Sequence, residues 1–534
     1  MIDSIKGTTR RELIAATALA GSVIAVKSAA AATAGELISD GQIGMSQSAE
    51  AYEADVVVCG TGTSGLCAAS RAAELGARVI VVEALTENGL GGNSKYVEAC
   101  WKPADEEVIE ASYATMMDYH KNAANARLVR RFCNEAIDVF NWSAESQGVS
   151  FAEGAGLESA KATSPAIKYA ENADGTINAG KFAIQTMYEY CQELGVEFVF
   201  DARAIDAVVL DDGAVAGVVC EHLNGDRLVV NAGAVILATG GFSANKELFE
   251  ELTHYNYDSL IPYGTSGSQR GDAITIGRSL GAALHHPEAI SFCSPILPGH
   301  FNKGALTICG VNQADTLFVN EKGVRFMDES CIKDWALSGL AGAQQEHIYV
   351  VIDQDFVEKI MTEGPVTKRT NYFAAGEPVP QFQQEIDEAL VRENPRVVKG
   401  DTLEELAAFL DVDPGTLNDT VATWNAYCDE GVDRDFQKPA EFMRKVATPP
   451  FYAFKTVLAW YNSVGGLKVD TACRVIGTDH QPIRGLYAAG SDAGGLFGSC
   501  YDVIVAPGSC QAWARASGKW AAEDAIENYL PTLS

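Results

Sequence analysis

The sequence predicts an α/β fold in which a doubly wound, parallel-sheet domain is split by an inserted α+β domain. Three observations predict it. An apolar strand, Val56 to Cys59, runs straight into Gly60-Thr61-Gly62-Thr63-Ser64-Gly65 and a helix-forming stretch, Leu66 to Leu75. Strand and helix patterns alternate from Ala54 to about His286, and the same texture returns after Gly465-Gly466. Between them, from about 287 to 462, lie most of the prolines, mixed short strands and a helical tract.

The first turn is the most informative element. Gly60 permits a tight turn, Gly62 lets backbone approach a pyrophosphate, and Gly65 lets the helix pack on the strand. The helix start then offers free N–H groups and a positive dipole end to phosphates. Val79 to Val82 predicts the next strand, ending in Glu83, placed for ribose hydroxyls. Two β segments, Ala204 to Leu210 and Ala214 to Glu221, are split by Asp211-Asp212-Gly213, a hairpin signal. Val229 to Leu237 leads into Ala238-Thr239-Gly240-Gly241-Phe242. In the middle region, Thr402 and Glu405 have capping-box spacing, and Asp413-Pro414 opens a helix running to Tyr427. Gly485 to Gly490 reads as a strand and Gly-rich turn, and a last helix is expected from Ser509 to Asn528.

The expected boundaries are therefore 1–34 for an export signal, 35–53 for a linker, 54–286 and 463–534 for the two parts of the nucleotide-binding domain, and 287–462 for the inserted domain. The signal reading rests on Arg10-Arg11, a weakly apolar stretch from Leu13 to Val26, and the small-residue site Ala32-Thr33-Ala34. It resembles a Tat signal and implies export to the cell envelope, the periplasm or the extracellular face, with no membrane span in the mature chain.

The chain has 534 residues, 47% of them hydrophobic, enough for more than one domain. Its net charge of −31 argues against nucleic acid and anionic lipid as partners. The thirteen cysteines are scattered, without C-x-x-C or C-x-x-C-H, so neither attached haem nor a zinc site is expected. No metal ligand is assigned. An iron–sulfur cluster gathered from distant cysteines is the weaker alternative, because clustered spacing is its usual mark.

Four motifs taken in order resemble the flavoprotein family of soluble fumarate reductases, aspartate oxidases, urocanate reductases and ketosteroid dehydrogenases. They are the first glycine turn with Glu83, Gly91-Gly92-Asn93-Ser94, Ala238 to Phe242, and Ala488-Ala489-Gly490 with Gly494-Gly495. The resemblance implies a Rossmann-like FAD-binding domain split by a capping domain, with FAD between the two. The implied cofactor-binding residues are Gly60, Gly62, Ser64, Gly65, Glu83, Gly91, Gly92, Asn93, Ser94, Ala204, Thr239, Gly240, Asp272, Gly490, Ser491, Gly508 and Ser509. Asn93 stands where some relatives attach FAD through a histidine, so non-covalent binding is implied.

The sequence also departs from the fumarate-type pattern. Ser294 and Asn462 replace histidines, the late arginine is missing from Phe497-Gly498-Ser499-Cys500-Tyr501, and the catalytic arginine would fall near Val357 or Glu358. Glu329 and Asp334 match a proton-relay pattern, with Lys333 in the arginine's place. A small dianion would lose several charge-assisted hydrogen bonds, each worth ~1.5–3 kcal/mol, which argues against fumarate. Aromatic residues take over: Tyr96, Trp101, Trp460, Tyr461, Phe497 and Tyr501 suit a flat ring system. Tyr96, Trp101, Ser294 and Asn462 are the expected substrate contacts. Tyr501 and Tyr461 are the expected acid or enolate-stabilising groups, with Glu329 and Lys333 as a relay.

The function expected is an FAD-dependent oxidoreductase reducing an activated C=C bond (enone, enoate or unsaturated lactone) of a bulky cyclic small molecule by hydride transfer. A separate cytochrome or other carrier would supply electrons. The alternatives are a ketosteroid-type dehydrogenase running in reverse, a flavin-binding protein without catalysis, and a fumarate reductase with a rebuilt site.

Overall fold

The strand that carries the first glycine turn lies inside the larger of two main sheets. In the computed structural model, which describes residues 50–157, 161–170, 179–300, 304–367, 373–393 and 395–533, the strand runs Glu50–Cys59. It pairs in parallel with Val79–Val82 (Val56 opposite Val79) and with Arg227–Leu237 (Val56 opposite Ala234). Val56, Val57 and Val58 are wholly buried, as expected of a parallel sheet covered on both faces.

Across the sheet the order is Arg474–Ile476, Pro482–Ala488, Arg227–Leu237, Glu50–Cys59, Val79–Val82 and Glu197–Val199. The hairpin Arg203–Val209 and Val215–Glu221 hangs antiparallel from the start of Arg227–Leu237. Pro482–Ala488 joins the same sheet in parallel, with Leu486 opposite Val235. The late segment thus completes a sheet begun more than 400 residues earlier. The helices Thr63–Glu74 and Ser509–Asp524 pack against each other beside it.

The cap is a mixed sheet of six strands whose spine is the long strand Phe451–Ser463. Leu260–Pro262, Ile290–Ile296, Ile348–Asp353 and Val397–Gly400 all pair with that spine. Leu317–Asn320 pairs with Ile348–Asp353. The helices Leu403–Leu410 and Pro414–Glu430 close a second core over Leu317, Val351, Leu406, Leu417 and Trp424. Thr402 Oγ1 accepts the Glu405 N–H at 3.2 Å, while the Glu405 carboxylate reaches the N–H of Asp401 at 2.8 Å. The cap is therefore fixed at a residue one earlier than the usual reciprocal box.

Several boundaries differ from expectation. The first strand begins at Glu50, inside the segment read as linker, because residues 50–54 pair with 228–232. The capping sheet borrows Leu260–Pro262 from before residue 287. The last α-helix stops at Asp524 and passes into a wider π turn, Ala525–Tyr529. The twin-arginine segment and residues 35–49 lie outside the described residues.

No disulfide joins any of the thirteen cysteines, ten of which are buried. Among the described residues no helix is long and apolar enough to cross a membrane, and no three His, Cys, Asp or Glu side chains are grouped to hold a metal.

Candidate active site

At the first turn, Gly60 has φ +114°, and a Cβ there would lie 2.3 Å from the carbonyl oxygen of Ala238. A Cβ on Gly65 would lie 1.9 Å from the carbonyl oxygen of Gly60. Both positions require glycine, the first for its backbone and the second for helix–strand contact. Gly62 is the N-cap of Thr63–Glu74 and carries no capping side chain. A Cβ on it would meet nothing nearer than Ser94 Oγ at 3.5 Å, so the helix start opens onto free space.

Ser94 Oγ accepts the Thr63 N–H at 3.1 Å. Glu83 closes the second strand, as expected, and braces the turn. It accepts the N–H and Oγ1–H of Thr61 at 2.8 and 2.6 Å and the Leu85 N–H at 2.9 Å. Ala204 is buried in the neighbouring hairpin. Asp272 accepts from Arg203 Nε at 2.9 Å.

The end of the cap's spine strand meets the three other glycine motifs. Tyr461 offers its carbonyl to Asn93 Nδ2 at 3.2 Å. Asn462 Nδ2 donates to Ser491 Oγ at 2.8 Å. Ser463 Oγ accepts the Phe242 N–H at 3.2 Å. Three consecutive residues of the cap thereby touch the 91–94, 239–242 and 490–495 segments, the convergence a cofactor between two domains requires.

Asn93 is held further by Thr265–Gln269: its Oδ1 accepts from Ser266 N and Gln269 Nε2, each at 2.7 Å, and from Thr265 Oγ1 at 2.9 Å. Its amide is thus fully engaged as a strut for that loop. Gly91 and Gly92, at positive φ, bring the chain round to it.

Asp492 is a site residue the sequence reading missed. Wholly buried, it accepts the Gly241 N–H at 2.8 Å, the Thr239 hydroxyl at 2.9 Å and the Thr239 N–H. It therefore fixes the Thr239-Gly240-Gly241 turn. Burial, with nearby Asp272, pushes its carboxyl up to about 6 against the pull of those donors. Its signal was present in the sequence: an acid two residues after Gly490.

The 497–509 segment brings a second group together. The hydroxyl of Tyr501 accepts the Gly508 N–H at 2.9 Å, leaving its own proton to give. Burial and the neighbouring Cys510 and Asp502 push this phenol well above its ordinary value, so it stays protonated at neutral pH. Gly508, at φ +83°, starts the last helix, and its carbonyl accepts the Trp101 N–H at 3.3 Å. Ser509 Oγ donates to Asp502, which faces His120 Nε2 at 3.4 Å. Beside them Tyr119 donates to Asp334 of the cap at 3.0 Å, linking the domains. Burial raises the Asp334 carboxyl, partly offset by the Leu337 N–H and Tyr119.

Other expected residues fall elsewhere. Glu329 is not part of a relay. It is completely buried within the cap, bound by Arg325 at 2.9 and 3.0 Å and by Lys438 at 3.2 Å, with Asp433 on the other side of the same arginine. Lys333 is exposed and lies over the Phe442 ring, 3.8 Å from its centroid. No hydrogen bond or ion pair joins the two. The Glu329 carboxylate pairs Arg325 and Lys438 inside the cap, where leaving either charge uncompensated would be costly.

Trp101 is core rather than cavity wall: it is 1% exposed and stacks on Phe132. Tyr96 is 44% exposed. Ser294 lies in the cap sheet, buried, with no partner for its hydroxyl. Tyr461 OH reaches Cys293 Sγ at 3.4 Å beside the Tyr263 ring. Around the meeting point the segments 290–296, 461–463 and 490–501 contribute hydroxyls, thiols, an amide, rings and the buried Asp492 carboxylate, and themselves hold no arginine, lysine or histidine; His120 packs on Phe497 and accepts the Gly498 N–H at 3.2 Å.

The residues present fit a bound dinucleotide. Gly60 turns the chain at a backbone angle suited to glycine, the helix start at Gly62 is open, and the glycine turns converge under the cap. Glu83 and Ala204 flank one end, and Thr239, Gly490 and Gly508 the other. Residues 55–502 match the FAD binding domain family. The chain is 32% identical over 481 residues to the vinyl phenol reductase of Lactiplantibacillus plantarum, covering 87% of this chain and 94% of that one. It is 26% identical to a fumarate reductase (cytochrome) of Shewanella frigidimarina, covering 83% and 73%. The fold superimposes with TM-score 0.68 on 3-ketosteroid delta1-dehydrogenase from Sterolibacterium denitrificans, at 18% identity, covering 89% and 99%.

Proposed function

The chain belongs to the FAD binding domain family and is an FAD-dependent oxidoreductase, and from that premise we propose that it reduces a carbon–carbon double bond conjugated to a ring in an uncharged, flat small molecule. The observation that carries this reading is that the chain segments meeting there, 290–296, 461–463 and 490–501, hold no arginine, lysine or histidine. Ser294, Tyr461, Asn462, Ser491 and Tyr501 can hydrogen-bond a hydroxyl or carbonyl, and none offers the cation a carboxylate would need. The likeness to a vinyl phenol reductase over nearly its whole length supports a ring-conjugated alkene.

When bound, FAD supplies the hydride. Saturating the double bond of a vinylphenol also needs a proton: it goes to the terminal carbon as the phenol gives up its own, so that hydride at the ring-side carbon leaves the charge on the phenol oxygen, which then needs stabilisation. Tyr501, held by Gly508 and kept protonated by burial, donates to that oxygen. Tyr461 sits at the cap side of the same junction. Tyr119 and Asp334 hold the cap against the 497–501 segment, which excludes water. Electrons come from a separate carrier, and the twin-arginine segment directs the folded protein out of the cytoplasm.

The test is anaerobic turnover with a reduced dye as donor. 4-Vinylphenol, hydroxycinnamates, cyclic enones and fumarate are supplied separately, and product is scored as a two-hydrogen mass gain. Turnover of neutral ring-conjugated alkenes at least tenfold above fumarate supports the reading. Preference for fumarate overturns it.

A further inference from the structure

Arg515 lies one turn inside the last helix and is wholly buried. Its Nε donates to Ser143 Oγ at 3.0 Å. One terminal nitrogen reaches Gln511 Oε1 at 3.3 Å and the Gln511 carbonyl at 3.4 Å, and the other has no partner. Among the described residues no carboxylate pairs with it. The titratable groups that face it are Cys67, Cys100 and Tyr169. Burial pushes Cys67 up to about 11 and raises Cys100 and Tyr169, so all three are neutral at pH 7.

A guanidinium does not lose its proton. A full positive charge therefore sits in the core without an anion, an arrangement proteins avoid unless something neutralises it. The same Gln511 oxygen points to what does. It accepts the hydroxyl proton of Thr63 at 2.9 Å, and Thr63 is the first residue of the helix that opens toward the dinucleotide's phosphates. Arg515, Gln511 and Thr63 form one buried chain from the core to the cradle. In so dry a setting charges act over longer distances than in water.

We propose that Arg515 is the built-in counter-charge for the diphosphate of FAD, acting from behind the helix through Gln511 and Thr63. It is a positioning residue and touches no reacting atom. The proposal rests on FAD binding alone and not on the choice of substrate.

The test uses the holoprotein, diluted into flavin-free buffer, with the fluorescence of released FAD followed in time. Arg515→Met removes the charge and keeps the bulk. Arg515→Lys keeps the charge and loses the planar fork. The expected result is release about 100-fold faster in Arg515→Met, a loss of about 2.8 kcal/mol at 1.4 kcal/mol per decade, and within fivefold of wild type in Arg515→Lys. Release from Arg515→Met as slow as wild type overturns the proposal. So does Arg515→Lys releasing more than fivefold faster, since the effect then follows shape rather than charge. If Arg515→Met does not fold, the Arg515→Lys result decides by the same fivefold limit. A wild-type protein that carries no flavin would instead refute the cofactor assignment itself.

Discussion

Replacing Tyr501 with phenylalanine separates a catalytic hydroxyl from a structural one. That hydroxyl accepts the Gly508 N–H at 2.9 Å, with the Ser509 and Cys510 side chains beside it. Removing it costs one partly buried hydrogen bond, about 1 kcal/mol, which for a chain of this size lowers the melting temperature by roughly 1–2 °C. The catalytic loss should be far larger. One preorganised donor to a developing oxyanion is worth about 100- to 1,000-fold in kcat. The assay is anaerobic steady-state turnover of 4-vinylphenol, with kcat and KM separated and melting followed on the same preparations. The expected outcome is kcat down about 100-fold or more, KM little changed, and only a small thermal shift. A variant with kcat within threefold of wild type and the same small shift would show that Tyr501 merely supports the start of the last helix.

Glu329→Gln should cost about 3–5 kcal/mol, because Arg325 and Lys438 lose the carboxylate that pairs them; chemical denaturation measures it, while single-turnover chemistry of the folded fraction stays unchanged. Asp492 titrates near 6 folded and near 3.9 unfolded. The native state thus binds the proton more tightly, and stability falls as pH rises from about 4 to 6, a penalty of about 3 kcal/mol above that window. Urea unfolding at pH 4.5 and 7 should show this slope in wild type and a flatter one in Asp492→Asn; equal slopes would refute it. Gly60→Ala forces a side chain toward the Ala238 carbonyl at a backbone angle that L-residues rarely adopt, so the purified variant should lack the yellow flavin absorbance.

The parts of the fold that local chemistry dictates were legible in the sequence. The glycine turn, the Val79–Val82 strand and Glu83 follow from spacing, since Gly60 and Gly65 answer backbone contacts that any Cβ would block and Gly62 leaves the helix start open. The split domain was legible because the same strand–turn texture returns after residue 465. What escaped notice depends on distant residues. Asp492 is significant only because the Thr239 and Gly241 backbone folds onto it from 250 residues away in sequence. Glu329 was read as a relay from its local pattern, yet Lys438 and Asp433, more than 100 residues on, pair it and Arg325 inside the cap. Trp101 and Tyr96 looked alike as aromatics beside a flavin motif. Packing against Phe132 buries the first, and nothing comparable covers the second. Arg515 gave no local signal, since a helix pattern does not reveal which face meets Ser143 and Gln511.

The central claim about the molecule is that its flavin site does not grip dianions. The most direct measurement is single-turnover reoxidation under anaerobic conditions: the purified protein is reduced, mixed with either 4-vinylphenol or fumarate, and the flavin absorbance followed. The oxidised band should return rapidly with the ring-conjugated alkene and hardly at all with millimolar fumarate. Rapid return with fumarate and none with the alkene would contradict that claim.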